Sequence, residues 1–386
     1  MVMHAIARMR PAPGRMARCA AAGLLALLAA CGDHSASTQT PTPPPSPLSG
    51  MFLGADVSSL ARIEQAGGVF KDNGQAGSAI AILRAHGSNG FRLRLFVNPP
   101  DTDVIVNDLP YTVSLAQRVK AAGAKLLLDL HYSDTWADPG HQTTPAAWAS
   151  LGMDSLAARV QAYTDSVVTT LKAAGALPDV VQIGNEIDSG MLWPLGQLYA
   201  GTDTTAEWNQ FTRLLKAAIA GVRAALGPGD SVRIMLHYGQ GGDAGGTQWF
   251  FDHMNAYGVP YDVIGLSYYP WWHGALSLLA ANLLGTELRY GKDIMVVETE
   301  YPWRAGSGIT TTASMTWAIS PAGQAQYLTD LLGAVSNVPG GHGAGVVWWY
   351  PEAIQVSGLN VWGGGSLALF DATGNLLPAA ADFGAR

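Results

Sequence analysis

Residues 178–190 read PDVVQIGNEIDSG. An apolar run (Val180, Val181, Ile183) stops abruptly at Gly184-Asn185-Glu186, and a second acid follows at Asp188. Only 13% of the 386 residues are charged and 48% are hydrophobic, so an acid closing a buried-looking strand is conspicuous. The plain explanation is a strand that surfaces and carries ordinary surface acids. What ends the other strands decides whether that explanation holds.

Seven further apolar runs have the same character: FLGADV (52–57), FRLRLFV (91–97), KLLLDL (125–130), VRIML (232–236), VIGL (263–266), IMVV (294–297) and GVVWW (345–349). Longer segments of helical period separate them. Leu156, Val160, Tyr163, Val167 and Leu171 mark one such face, and Trp208, Phe211, Leu215, Ala218 and Val222 another. Strands that are continuously apolar, not alternating, are buried on both faces, which means a parallel sheet sheathed in helices. Eight of them predict a single (β/α)8 TIM barrel over residues 51–386. A doubly wound dinucleotide fold is disfavoured because no G-x-G-x-x-G follows the first strand.

In a barrel the C-terminal strand ends converge on one face. Strand 2 contains Arg92 and Arg94; strand 3 runs into DLHYSDTWADPGHQ and strand 4 into GNE. Strand 5 runs into HYGQGGD, strand 6 into SYYPWWHG, strand 7 into ETEYPW and strand 8 into WWYPEA. Six of the twelve Trp (136, 271, 272, 303, 348 and 349) fall on this predicted face. Flat rings beside carboxylates and amides suit a sugar, whose C–H faces stack on aromatics while its hydroxyls seek polar partners. Glycoside hydrolysis uses two carboxyls, and strands 4 and 7 lie across the barrel mouth. Glu186 therefore pairs with Glu298, which directly follows IMVV, in preference to Glu300 two residues on. An ionised nucleophile needs a cation, for which Arg92 and Arg94 are placed; the acid needs a neighbour that keeps it protonated. Asn185 is placed to bond a sugar 2-hydroxyl.

Metal chemistry is the main rival, since His131, Asp134, Asp138 and His141 lie within eleven residues. Their spacing fits no regular two-ligand helical site. A Ser-His-Asp hydrolase is disfavoured by the lack of a G-x-S-x-G elbow.

The N-terminus reads as an export signal. Four Arg and no acid precede an apolar CAAAGLLALLAAC too short to span a bilayer, and Leu28-Ala29-Ala30-Cys31-Gly32 resembles a lipobox. Residues 1–31 are thus expected to be a lipoprotein signal with Cys31 lipidated, and the Pro/Ser/Thr-rich residues 32–50 a tether. This predicts an exported lipoprotein on a bacterial outer membrane, facing the periplasm or the cell surface. Its only membrane contact would be the lipid. Without the leader, 18 basic residues face 29 acidic ones, a net charge of −11 that excludes nucleic acid as a natural partner. A monomer is expected.

FLGADVSSL, FRLRLFVNP, LLLDLHYSDTWADPG, VVQIGNEIDSGMLWPLG, VIGLSYYPWWHG and VVETEYPW together resemble glycoside hydrolase family 53, the arabinogalactan endo-β-1,4-galactanases. The closing LALFDATGNLLPAAADF is similar too. The resemblance implies a retaining endo-hydrolase of β-1,4-galactan, with Glu186 as acid/base and Glu298 as nucleophile. It implies a substrate site drawn from Arg92, Arg94, His131, Asp134, Trp136, Asn185, His237, Tyr268, Tyr269, Trp303, Trp348 and Trp349. It leaves open which member of the pairs Arg92/Arg94, Tyr268/Tyr269 and Trp348/Trp349 faces substrate. Some bacterial members carry a calcium loop after strand 7. Here RAGSGITTTASMTWAISPAG (304–323) holds no acid, His or Asn, so no cofactor is expected. A related β-mannanase or β-glucanase, and a catalytically silent glycan-binding lipoprotein, are the alternatives.

Overall fold

The computed structural model of the protein describes residues 50–201, 204–306 and 308–385. The expected signal, Cys31 and nearly all of the tether lie outside these residues. Eight parallel strands close into a barrel: β1 (Phe52–Asp56), β2 (Gly90–Leu95), β3 (Lys125–Leu130), β4 (Val180–Ile183), β5 (Arg233–Tyr238), β6 (Val263–Tyr268), β7 (Asp293–Thr299) and β8 (Gly343–Trp349). Each pairs with its sequence neighbours, and β8 returns to β1. This is the expected (β/α)8 barrel, with every anticipated strand present. The expectation overran β2 by two residues, and it missed a short hairpin, Phe70–Asp72 with Gln75–Gly77, turning at Asn73-Gly74. That Asn-Gly pair was a legible turn signal.

Inside the barrel the chain is layered. Phe52, Leu127, Val180, Met235, Val263, Met295, Val297 and Val347 form a wholly buried apolar plug. Phe52 needs room: a Cβ on Gly90 would lie 2.4 Å from Cζ of its ring. Two residues further along the strands the inward positions turn polar: Arg92 follows Gly90, Asp129 follows Leu127, Gln182 follows Val180, and His237 follows Met235. All four are buried. The plug fills the barrel, so the polar floor above it faces one way only, toward the C-terminal mouth.

The outward faces of the strands pack against amphipathic helices. Met153–Ala173 buries Leu156, Val160, Val167 and Leu171, and Thr204–Ala225 buries Trp208, Phe211, Leu215, Ala218 and Val222. These are the faces expected from the sequence, except that Tyr163 is only partly covered. Gly90→Ala should cost about 1–3 kcal/mol by driving a methyl into the Phe52 ring. Urea denaturation checks this, and an unchanged midpoint would show that the plug repacks freely.

Candidate active site

The seventh strand positions its acid through an irregularity. Met295 and Val297 both point into the barrel, so regular alternation would send Glu298 outward into the helix shell. Instead, beyond Val296, β7 carries one residue more than either neighbour. Val296 pairs with Val346 and Leu266, but the next partners are Thr299 with Trp348 and Glu298 with Ser267. This bulge resets the pleat and turns Glu298 inward, while Thr299 faces out to the Tyr327 hydroxyl. Glu298 Oε1 lies 2.8 Å from Arg92 Nη1, and its Oε2 accepts from the Tyr269 hydroxyl at 3.0 Å.

Arg92 reaches across the barrel floor. Besides Glu298 it pairs with Asp56 at 3.1 Å and Asp129 at 2.8 Å, and donates to Asn185 Oδ1 at 2.7 Å and Gln182 Oε1 at 3.2 Å. Asp129, Glu298 and Asp56 hold the guanidinium charged against the cost of complete burial. His131 joins through its ring: Nδ1 accepts from Ala137 N–H at 3.1 Å, so Nε2 carries the proton toward Asp129, 2.9 Å away.

Glu186 stands opposite under different conditions. Gly184 (φ +76°) and Glu186 (φ +44°) both adopt left-handed backbone, ending β4 in a tight turn. A Cβ at position 184 would come 2.5 Å from Ile187 Cγ2, which only glycine avoids. Glu186 is half-buried, and among the described residues no cation pairs with its carboxylate; the Ser267 hydroxyl donates to Oε1 at 2.6 Å. Burial, then the charge of Glu298, then that of Asp188 push its carboxyl well above the usual range. Burial also raises Glu298, but Arg92 pulls it back. Both carboxyls are thus raised, Glu186 the further, and Glu298 is the first to ionise.

Asp188, which looks like a plain loop residue in the sequence, accepts from Gly239 N–H at 2.8 Å and is raised by burial to about 7. Glu300 is fully buried, accepts from Trp362 Nε1 at 2.9 Å and is likewise raised well above the usual range by burial.

The structure separates the expected site residues. Arg92, His131, Asn185, Glu186, Tyr269 and Glu298 meet at the mouth. Arg94 is buried alongside, its guanidinium 4.2 Å from the Trp136 ring, and bonds Ser59 and not Glu298. Tyr268 and Trp348 do not reach the mouth. They alternate outward, Tyr268 donating to Gly274 O and Trp348 to Leu367 O, while the half-buried Trp349 faces in. His237 is completely buried with both ring nitrogens engaged by protein, so it underlies the site and does not contact ligand. Asp134 spends both oxygens on loop backbone, Asn98 N and Ala146 N. Trp303 ties its loop to Gly365 O. The four residues weighed as metal ligands diverge. His131 turns to the barrel floor, Asp134 to its loop, and Asp138 pairs with His141 at the surface.

Sequence reasoning missed Asp56, Asp129, Gln182 and Ser267, which lie within or at the ends of apolar runs. Their inward parity two residues beyond a plug residue was a usable signal for Asp129 and Gln182. It also missed Trp362. Ring centroids run from Trp136 to Trp349 (6.0 Å), Trp362 (5.9 Å) and Trp272 (6.3 Å), then Tyr269 (5.2 Å), an arc along one side of the mouth.

A parallel barrel with paired acids at the ends of its fourth and seventh strands is a glycoside hydrolase architecture. The family model Glycosyl hydrolase family 53 matches residues 52–383, and the chain belongs to that family. It is 42% identical over 342 residues to an uncharacterized protein of Niallia circulans, covering 84% of this chain and 91% of that one. It is 38% identical over 319 residues to a probable arabinogalactan endo-β-1,4-galactanase A of Neosartorya fischeri, covering 80% and 86%. Among solved structures, the Ignisphaera aggregans GH53 catalytic domain superposes with a TM-score of 0.79 at 32% identity, covering 88% and 98%.

Two outcomes follow from these charges. Arg92→Met strands three carboxylates without their cation and should cost about 3–5 kcal/mol; a thermal or urea midpoint equal to wild type would refute the cluster's role. Glu352, buried beside Asp56 and raised to about 8, stays protonated in the fold while its unfolded counterpart ionises near 4. The folded state therefore binds more protons between about pH 4.5 and 8, and stability falls as pH rises through that window. Glu352→Gln should flatten the fall in denaturation midpoint. An undiminished slope would mean that Glu352 is ionised in the native protein.

Proposed function

We propose that the protein is a retaining endo-hydrolase of β-1,4-galactosidic bonds in galactan and type I arabinogalactan, with Glu298 as nucleophile and Glu186 as acid/base. The observation that carries this reading is the asymmetry of the two acids: Glu298 rests on Arg92 and the Tyr269 hydroxyl, whereas Glu186 has no cationic partner among the described residues and is pushed up by the charge of Glu298. A nucleophile must be ionised and an acid protonated at the same pH, which is the state these surroundings favour.

In the first step Glu298 attacks the anomeric carbon while Glu186 protonates the departing glycosidic oxygen. The ester so formed removes the charge on Glu298, so the Glu186 pKa drops and it serves as base for the incoming water. Asn185 donates one amide proton to Ala137 O and keeps its second for the sugar 2-hydroxyl. The arc of Trp136, Trp349, Trp362 and Trp272 offers stacking faces to a chain of sugars, which supports endo action. The names of the relatives support galactan over mannan or glucan. Cys31 supports lipid anchoring on the outer membrane, tested by palmitate incorporation that Cys31→Ala abolishes.

Glu298→Ala should be inactive on galactan, and azide should rescue it on an activated aryl β-galactoside to give the α-azide. Glu186→Ala should keep near-normal glycosylation by the activated substrate but lose at least about 100-fold on galactan. Full galactan turnover by Glu298→Ala overturns the assignment. Product sizing on unbranched β-1,4-galactan should give mid-length fragments early, and release of galactose alone would count against endo action.

A further inference from the structure

Behind Glu186, a hydrogen-bonded file of wholly buried side chains runs away from the cleft. Ser267 Oγ lies 2.6 Å from Glu186 Oε1 and 2.8 Å from His237 Nε2. His237 Nδ1 accepts from the Glu186 backbone N–H at 3.3 Å, and Gln182 Nε2 lies 3.1 Å from the same nitrogen. The Gln182 amide is oriented from outside the file: its Oε1 accepts from Arg92, and its two Nε2 protons go to Asp129 Oδ1 at 2.7 Å and Gly184 O at 3.0 Å. Asn185 Oδ1 lies 3.0 Å from the same ring nitrogen and accepts from Arg92 Nη2 at 2.7 Å. A ring nitrogen facing the fixed backbone N–H of Glu186 bears a lone pair, so the His237 proton sits on Nε2. Nε2–H must then donate to Ser267 Oγ, and the Ser267 hydroxyl proton has one direction left, toward Glu186 Oε1.

We propose that Ser267 and His237 are positioning residues that dictate which oxygen of Glu186 carries the acid's proton. Oε1 is held as an acceptor in both protonation states, so the proton resides on Oε2, the oxygen left free for the glycosidic bond. The direction originates at the backbone N–H of Glu186 itself, which fixes the His237 tautomer from the same turn that carries the acid. Burial and the neighbouring charge of Arg92 keep His237 neutral, so the file cannot reverse by taking up a second proton. The inference rests on Glu186 being the acid.

Ser267→Ala removes the donor, and Ser267→Thr retains it. Glu298, Asp188, Asp138 and Tyr269 face Glu186 and stay in place in both variants. The expected result for Ser267→Ala is a roughly 10–100-fold lower kcat on galactan with KM little changed, consistent with loss of a hydrogen bond to a charged group. Glycosylation by a dinitrophenyl β-galactoside, whose leaving group needs no acid, should stay near wild type. The basic limb of the pH–rate profile should move up, because the lost donor had stabilised ionised Glu186. Ser267→Thr should restore both the kcat on galactan and the basic limb. Equal loss on both substrates, or an unmoved basic limb, overturns the proposal. Independently of any variant, 15N spectra of the wild-type protein should report His237 protonated on Nε2, and an Nδ1-protonated ring overturns it too. Failure of the acid assignment itself would look different: Glu186→Ala would then lose the activated and polymeric substrates equally.

Discussion

One guanidinium organises the barrel mouth. Arg92 lies on β2 and touches Asp56 on β1, Asp129 on β3, Gln182 on β4, Asn185 just beyond it, and Glu298 on β7. Five partners from four other segments converge on a side chain with almost no exposed surface. Such a cluster is costly to bury and tolerable only when every member is satisfied. A planar fork with five donors meets that demand where an ammonium could not. Its position follows from the apolar plug beneath, which blocks the barrel and leaves the polar layer a single direction to face.

From that cluster comes the difference between the two acids. Glu298 shares the cation and the Tyr269 hydroxyl; Glu186 is given a neutral donor, Ser267, and two anionic neighbours, Glu298 and Asp188. Both are glutamates at strand ends, so the residue types contain no hint of the contrast. Left-handed backbone at Glu186 and the bulge at Glu298 point the same way: local irregularity at the two positions where chemistry is proposed.

The aromatic residues divide along the same geometric rule. Of twelve tryptophans, those at the strand-8 end illustrate it best, since Trp348 and Trp349 are adjacent and identical yet one packs under the helix shell and the other faces the mouth. Strand alternation decides between them, and its phase is set by the neighbours, not by the pair itself. Tyr268 and Tyr269 divide likewise: Tyr268 bonds Gly274 O in the shell, and Tyr269 reaches Glu298.

The amino-acid sequence by itself determined the number and order of strands, the faces of the principal helices and the pair of strand ends bearing Glu186 and Glu298. Runs of apolar residues and their period reflect burial, which is a local property of the chain. It could not determine the inward turn of Glu298, because alternation from Met295 and Val297 points the other way and only the pairing of β7 with both neighbours creates the bulge. Nor could it rank Asp188, Ser267 and Gln182, whose importance lies in what they meet from strands far away in sequence. The tertiary structure decided those matters because charge, burial and hydrogen-bond direction at one carboxylate are sums over groups that only closure of the barrel brings together.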